Sequence, residues 1–132
     1  MATKFATGIS KGEDSSLSFS CGIAEGSFFR IMDGSNLEDQ INAAEKAAVI
    51  AKQNAENAGY SDFAGIIVFD CAVRQLMLGD RFPEAMDRFK KVLLGVPILG
   101  WETYGEIQLE PGQFSGFHNA TSVVLLLPKG DK

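Results

Sequence analysis

The chain has 132 residues, 45% of them hydrophobic and 10% aromatic, which suits one globular domain with a single packed core. Twelve basic and seventeen acidic residues give a formal net charge of −5 without a Lys/Arg cluster, so a nucleic acid or an anionic membrane would be repelled. The longest apolar runs have about seven residues, far fewer than the roughly 20 that cross a bilayer. Because the N-terminus also lacks a signal-peptide layout, we expect a soluble, cytoplasmic protein without membrane contact.

The first quarter of the chain predicts a flexible start followed by a hairpin. Residues 1–15 mix small, polar and charged types without a sustained period, which is typical of a flexible N-terminal segment. Residues 17–23 alternate apolar and polar types, the pattern of a half-buried strand. Residues 24–27 are typical of a turn, and residues 28–32 are strand-like again. The sequence therefore predicts an antiparallel hairpin over residues 17–32.

A long helix is predicted to follow Gly34. Ser35 and Glu38 have the spacing of a capping box, and Gly59 is placed to end the helix. Between them apolar residues recur at steps of four and three, which predicts one face packed against a sheet. This stripe consists of Leu37, Ile41, Ala44, Ala48, Ala51 and Ala55.

The centre of the chain predicts a buried strand that ends in polar residues. Residues 64–69 form an unbroken apolar run rich in β-branched types, as in a central strand covered on both faces. Asp70 is a natural helix N-cap, and the residues after it have a helical pattern that ends at Gly79. Since ligands tend to bind at the carboxyl ends of strands in layered α/β domains, we expect the functional site here.

The second half predicts one more helix and several strands. A four-three-four apolar repeat predicts a core-packed helix from about Phe82 to Leu94. Residues 96–109 are strand-like but contain Pro97, Gly100 and Gly105, which favours bends or close backbone approach. Residues 114–119 are typical of a short strand or loop, and residues 121–127 of a buried strand.

Together these elements predict an α+β (mixed α/β) fold. We expect a mostly antiparallel or mixed sheet of five or six strands, packed with one long and one or two shorter helices. The single domain is expected to span residues 16–128, between the flexible segment 1–15 and a tail at residues 129–132.

Two side chains near the end of the central strand are candidates for chemistry. Cys71 falls in the first turn of a helix, which can activate a thiol as a nucleophile, but a thiol after a buried strand is usually a packing residue. Arg74 lies one turn further and is suited to bind a carboxylate in bidentate fashion. The alternative for Arg74 is an internal ion pair with Glu106 or Asp80.

The remaining polar candidates are weaker. His118 is either a proton carrier or a hydrogen-bonded structural residue, and Glu106 is either a ligand contact or a structural group. One histidine and two distant cysteines, Cys21 and Cys71, form no zinc site, and both thiols are expected to be reduced. No glycine-rich phosphate loop is present. We therefore expect neither a metal nor a cofactor.

Three sequence blocks stand out in the second half of the chain: IVFDCAVRQLMLGDR at residues 67–81, VPILGWETYGEI at residues 96–107, and FHNATSVVL at residues 117–125. Together they resemble the C-terminal part of the FIST sensory module, named after F-box and intracellular signal transduction proteins. Their order and spacing, and the segment SFSCGI at residues 18–23, are also similar to the family. The resemblance covers roughly residues 16–127.

The resemblance implies a ligand-sensing domain, not an enzyme. Such domains are joined to chemotaxis-receptor, histidine-kinase or cyclic-dinucleotide output modules and are proposed to bind small molecules such as amino acids. The family's N-terminal half is absent from this sequence, so the chain is expected to be either a stand-alone form or part of a longer protein. The polar and glycine positions that match the family motifs are Cys71, Arg74, Gly100, Tyr104, Gly105, Glu106, His118, Asn119 and Thr121.

Three functions follow as hypotheses. The first is a sensor of a small carboxylate-bearing metabolite, with Arg74 as its anchor and Glu106 or Asn119 reading an amine or amide. Its predicted ligand-binding residues are Cys71, Arg74, Tyr104, Glu106, His118, Asn119 and Thr121. The second is a protein–protein interaction module without a small ligand, which predicts a large exposed apolar patch. The third is an acyl-transfer enzyme that uses Cys71 and His118.

Overall fold

The computed structural model describes residues 6–9, 17–19, 22–28, 33–108 and 116–130. The three helices are α1 (Leu37–Asn57), α2 (Ala72–Leu78) and α3 (Phe82–Val92), with a 3₁₀ turn at Gly79–Arg81 between the last two. The strands are β1 (Ala6–Ile9), β2 (Leu17–Phe19), β3 (Phe63–Cys71), β4 (Ile98–Thr103), β5 (Glu106–Gln108), β6 (Gly116–His118) and β7 (Ser122–Pro128).

Strand β3 is the central strand, as its apolar run predicts. It pairs in parallel with β4 and antiparallel with β7, so the sheet order is β4-β3-β7. The described residues form two further sheets of two strands each, β1-β2 and β5-β6. The mixed α/β class is confirmed, with the strands divided among three hydrogen-bonded sheets.

One face of the β4-β3-β7 sheet carries all three helices. Ile66 and Val68 of β3 lie opposite Leu126 and Val124 of β7, so these side chains point to the same face. They form one core with buried residues of the helices, namely Ile41, Ala44, Ala48, Leu78, Ala85 and Phe89. The alanine-rich stripe of α1 and the repeat in α3 are therefore the packing surfaces that the sequence predicts.

The opposite face of this sheet is only partly covered, so the prediction that β3 is covered on both faces is wrong for this side. We call this surface the outer face. By strand alternation and cross-strand register it consists of Ile67, Phe69, Leu99, Trp101, Val123, Leu125 and Leu127. Phe69 and Trp101 make an edge-to-face ring contact with centroids 5.4 Å apart.

The N-terminus of α1 is capped by a residue next to the predicted one. The Asn36 side chain accepts hydrogen bonds from the backbone N–H groups of Glu38 (3.0 Å) and Asp39 (3.4 Å). The prediction that Ser35 caps the helix is wrong, because the Ser35 N–H donates to Asp33 Oδ1 in a local turn. The predicted end is confirmed, since Gly59 has φ +90° directly after the C-cap Ala58.

The N-terminal region contains a strand that the sequence does not predict. Strand β1 lies within residues 1–15, which the sequence predicted to be flexible, and it pairs antiparallel with β2. Four residues are too few for strand alternation to stand out from a polar background. The predicted turn at residues 24–27 is confirmed by a Ser27 N–H to Ala24 carbonyl bond. Of the predicted strand at residues 28–32, only the exposed Phe28 belongs to the described residues.

Within the described residues, no helix has both the length and the apolar character that a membrane crossing requires.

Candidate functional site

The carboxyl end of β3 carries a buried ion pair. Asp70 Oδ1 accepts hydrogen bonds from Arg74 Nε at 2.7 Å and from Ser122 Oγ at 2.6 Å. The two charged side chains are only 2–3% exposed. Asp70 is therefore not the N-cap of α2; the cap position belongs to Cys71, whose side chain makes no capping bond. The predicted ion pair of Arg74 exists, but its partner is Asp70 and not Glu106 or Asp80.

Arg74 also ties α2 to the first turn of α1. Its Nη1 donates to Gln40 Oε1 at 3.3 Å, and its Nη2 donates to the backbone carbonyl of Gln40 at 3.0 Å. A guanidinium has five N–H donors, of which three are used in this way. The second oxygen of Asp70, Oδ2, is buried and has no hydrogen-bond partner within the described residues. Among the described residues, the cluster therefore has two guanidinium N–H groups and one carboxylate oxygen for which no bond is seen.

Glu106 forms a second buried cluster at the same end of the sheet. Its carboxylate is 2% exposed and accepts hydrogen bonds from Thr103 Oγ1 at 2.6 Å and Thr121 Oγ1 at 2.9 Å. The Thr103 hydroxyl also lies 3.3 Å from the backbone carbonyl of Asp70, which brings the two clusters together. Both oxygens of Glu106 are thus held by neutral hydroxyl groups.

The other predicted site residues divide between this region and the surface. Cys71 is buried, and its backbone N–H donates to the Thr121 carbonyl at 3.0 Å. Asn119 is buried, and its side chain donates to the Tyr104 carbonyl at 3.4 Å, whereas the Tyr104 side chain is 94% exposed. His118 lies opposite Glu106 in the β5-β6 pair.

The two motif glycines make room for neighbouring groups, as the sequence predicts. A Cβ at Gly100 would lie 2.7 Å from the backbone carbonyl oxygen of Val68 on the adjacent strand. A Cβ at Gly105 would collide with the ring of Phe117. At both positions glycine is therefore needed for close packing, and not because the backbone has a positive φ.

A groove of about 590 Å³ runs between α1 and β7 and opens beside the ion pair. Its polar end is formed by Gln40, Arg74, Gln108, Thr121 and Ser122. Its longer flanks are mostly apolar, with Lys46 and Asn54 as their polar members, and are otherwise lined by Ala43, Ala47, Ile50, Ala51, Phe69, Ile107, Ala120, Val123, Val124 and Leu125. The volume lies within the roughly 300–1,000 Å³ of small-molecule sites.

Sequence reasoning missed Gln40, Asp70 and Ser122 as members of this site. The spacing of Asp70 and Arg74 is i, i+4, which could have indicated their pairing if both had been assigned to one helical turn. No local pattern links Gln40 or Ser122 to Arg74, because they are 34 and 48 positions away along the sequence. No group of three or more His, Cys, Asp or Glu side chains that could hold a metal ion occurs within the described residues.

Comparison with known proteins identifies the family. Residues 4–108 match the FIST C domain, which is 105 of the 132 residues. The match includes the first two sequence blocks and strand β1, and it ends before the third block at residues 117–125. No curated protein and no solved structure matches the chain. The chain belongs to the FIST C domain family of sensory domains in signal transduction.

Proposed function

We propose that this domain senses a small carboxylate-bearing metabolite, such as an amino acid, in the groove between α1 and β7. The observation that carries the proposal is the position of Arg74 at the polar end of a groove of ligand size. The guanidinium is almost fully buried, but two of its N–H groups bond neither Asp70 nor Gln40, and a carboxylate that enters the groove would complement them.

The amine of the ligand is assigned to Asp70, which adjoins the groove through its bonds to Arg74 and Ser122 but does not itself line it. Its Oδ2 atom is buried without a partner in the described residues, which costs about 1–3 kcal/mol until a donor reaches it. Of the two residues that the sequence predicts for this role, Glu106 has both oxygens occupied by Thr103 and Thr121, and Asn119 donates to the Tyr104 carbonyl. The alanines of α1 and the apolar residues of β7 would then contact the ligand's side chain.

In this proposal the domain acts in the cytoplasm as the input part of a signalling protein. Its partners are the ligand, a FIST N-terminal half, and an output domain of the chemotaxis-receptor, histidine-kinase or cyclic-dinucleotide type. It works by binding and not by catalysis, because the Cys71 thiol is only 2% exposed. Rapid alkylation of Cys71 in the native protein by iodoacetamide would contradict the non-catalytic assignment.

Thermal unfolding with a panel of amino acids tests the ligand class. A ligand present at about 100 times its Kd adds roughly 2.7 kcal/mol to the free energy of unfolding. Ala43→Leu places extra volume inside the groove without touching the ion pair, so it should abolish the shift in the unfolding midpoint.

Asn42→Leu is the matched control, because Asn42 is an exposed neighbour on α1 that does not line the groove. The control should respond to the ligand as the wild type does. The proposal is wrong if no amino acid shifts the wild-type midpoint, or if the two leucine variants respond alike.

A second function, binding of another protein, is favoured by a separate observation. The outer face exposes large apolar side chains at Leu99, Trp101, Leu125 and Leu127, as the interaction-module hypothesis requires. This surface could serve a sensory domain in addition to the groove.

A further inference from the structure

The outer face is a sheet surface without charge. Its three rows of cross-strand neighbours contain only aliphatic and aromatic side chains, and Glu102 of β4 points to the opposite side by strand alternation. Leu99, Trp101, Leu125 and Leu127 are between 40% and 63% exposed. Apolar patches of this kind mark interaction sites.

The size of the surface fits a specific interface. The outer face together with the neighbouring Ile107 exposes about 600 Å² of apolar area, estimated from side chains of about 200 Å² each. This equals the upper limit of roughly 300–600 Å² for the largest patch on a typical monomer. A standard interface buries roughly 800 Å² per partner, so this apolar area would make up most of one side of such an interface.

The chemistry of the surface selects the partner. A partner must cover the apolar rows of the outer face without placing an unpaired charge on them. Burial of an unpaired charge would reduce the free energy gained on binding. The helical side of this domain is unsuitable, because it carries exposed ion pairs such as Arg81–Glu38 and Lys91–Glu45. The outer face itself has the required chemistry, because its rows carry no charged side chain.

The geometry points to a second copy of this chain as the partner, and we propose that two copies stack outer face against outer face. Packed sheets lie about 10 Å apart with their strands inclined by about 30°, which lets the two apolar layers interdigitate. The dimer then has its two sheets inside and its helices outside. Trp101, the chain's one tryptophan, lies in the interface.

Sedimentation velocity of the purified chain from about 1 μM to about 1 mM measures the association, over the range in which such dimers form. We expect the mass to double with concentration and the Trp101 fluorescence to shift to shorter wavelength over the same range. Leu99→Lys and Leu125→Lys each place a charge in the interface and should raise the dimer Kd at least about tenfold.

Leu76→Lys is the matched control, since Leu76 is 81% exposed on α2 and lies outside the outer face. It should leave the Kd unchanged. The proposal is overturned if the wild-type chain stays monomeric, or if its mass doubles without a shift in the Trp101 fluorescence. It is also overturned if Leu76→Lys raises the dimer Kd as much as the two outer-face substitutions do. If Leu99→Lys loses its far-ultraviolet circular dichroism, Leu125→Lys decides the outcome.

Discussion

Removal of Arg74 is the strongest test of how the site is built. Arg74→Ala deletes the 2.7 Å bond to Asp70 and both bonds to Gln40, and it leaves the buried Asp70 carboxylate with Ser122 as its donor. Removal of one partner of a buried ion pair costs about 3–5 kcal/mol. This is a large part of the roughly 5–15 kcal/mol that stabilises a domain.

The assay is urea unfolding, with the free energy extrapolated to water. Arg88→Ala is the matched control, because Arg88 also bonds two carboxylates, Glu38 and Glu45, but is 31% exposed. A pair of that kind contributes about 0–1 kcal/mol. The double variant Asp70→Asn with Arg74→Met removes both charges and should cost less than the sum of the single changes.

The reasoning is refuted if Arg74→Ala costs no more than Arg88→Ala. It is also refuted if the double variant loses as much free energy of unfolding as the two single variants lose together, because the two side chains would then contribute independently.

Three further outcomes can be measured by the same unfolding assay. Asn36→Ala removes the N-cap of α1 and should cost about 1 kcal/mol, and a cost near zero would show that the cap is not formed. Gly105→Ala should cost about 1–3 kcal/mol because its Cβ meets the Phe117 ring, and adding Phe117→Ala should relieve the part of the cost that comes from this clash. The Arg81 guanidinium bonds both oxygens of Glu84 and lowers the pKa of that carboxyl below 4.5. A lowered pKa gives stability that is present above about pH 4.5 and is lost as the pH falls through the folded-state value. In the Arg81→Gln variant the free energy of unfolding should therefore fall less steeply as the pH drops below about 4.5. An acid dependence identical to that of the wild type would contradict this.

The parts of the fold that could be predicted from sequence are those set by local periodicity. The apolar run before Asp70 identified β3, and the alanine-rich repeat identified the packing face of α1. Capping was predicted less well, because Ser35 and Asn36 are both good N-caps and a turn around Asp33 decides between them.

The site could be predicted only in part, because its contacts join distant segments. Arg74 was identified as the central cation, and its burial with an acidic partner was an open alternative. Its bonds to Gln40 depend on how α1 crosses the end of the sheet, which no local pattern encodes. The bond from Ser122 to Asp70 depends likewise on the register of β7 against β3.

Phe69, Val123 and Leu125 line the groove and also belong to the outer face. A molecule in the groove and a partner on the sheet would therefore contact the same three side chains. If one of these binding events changes the free energy of the other, thermodynamic linkage requires the reverse change to have the same size. The ligand affinity of this domain would consequently depend on protein concentration, and its state of association would depend on the ligand.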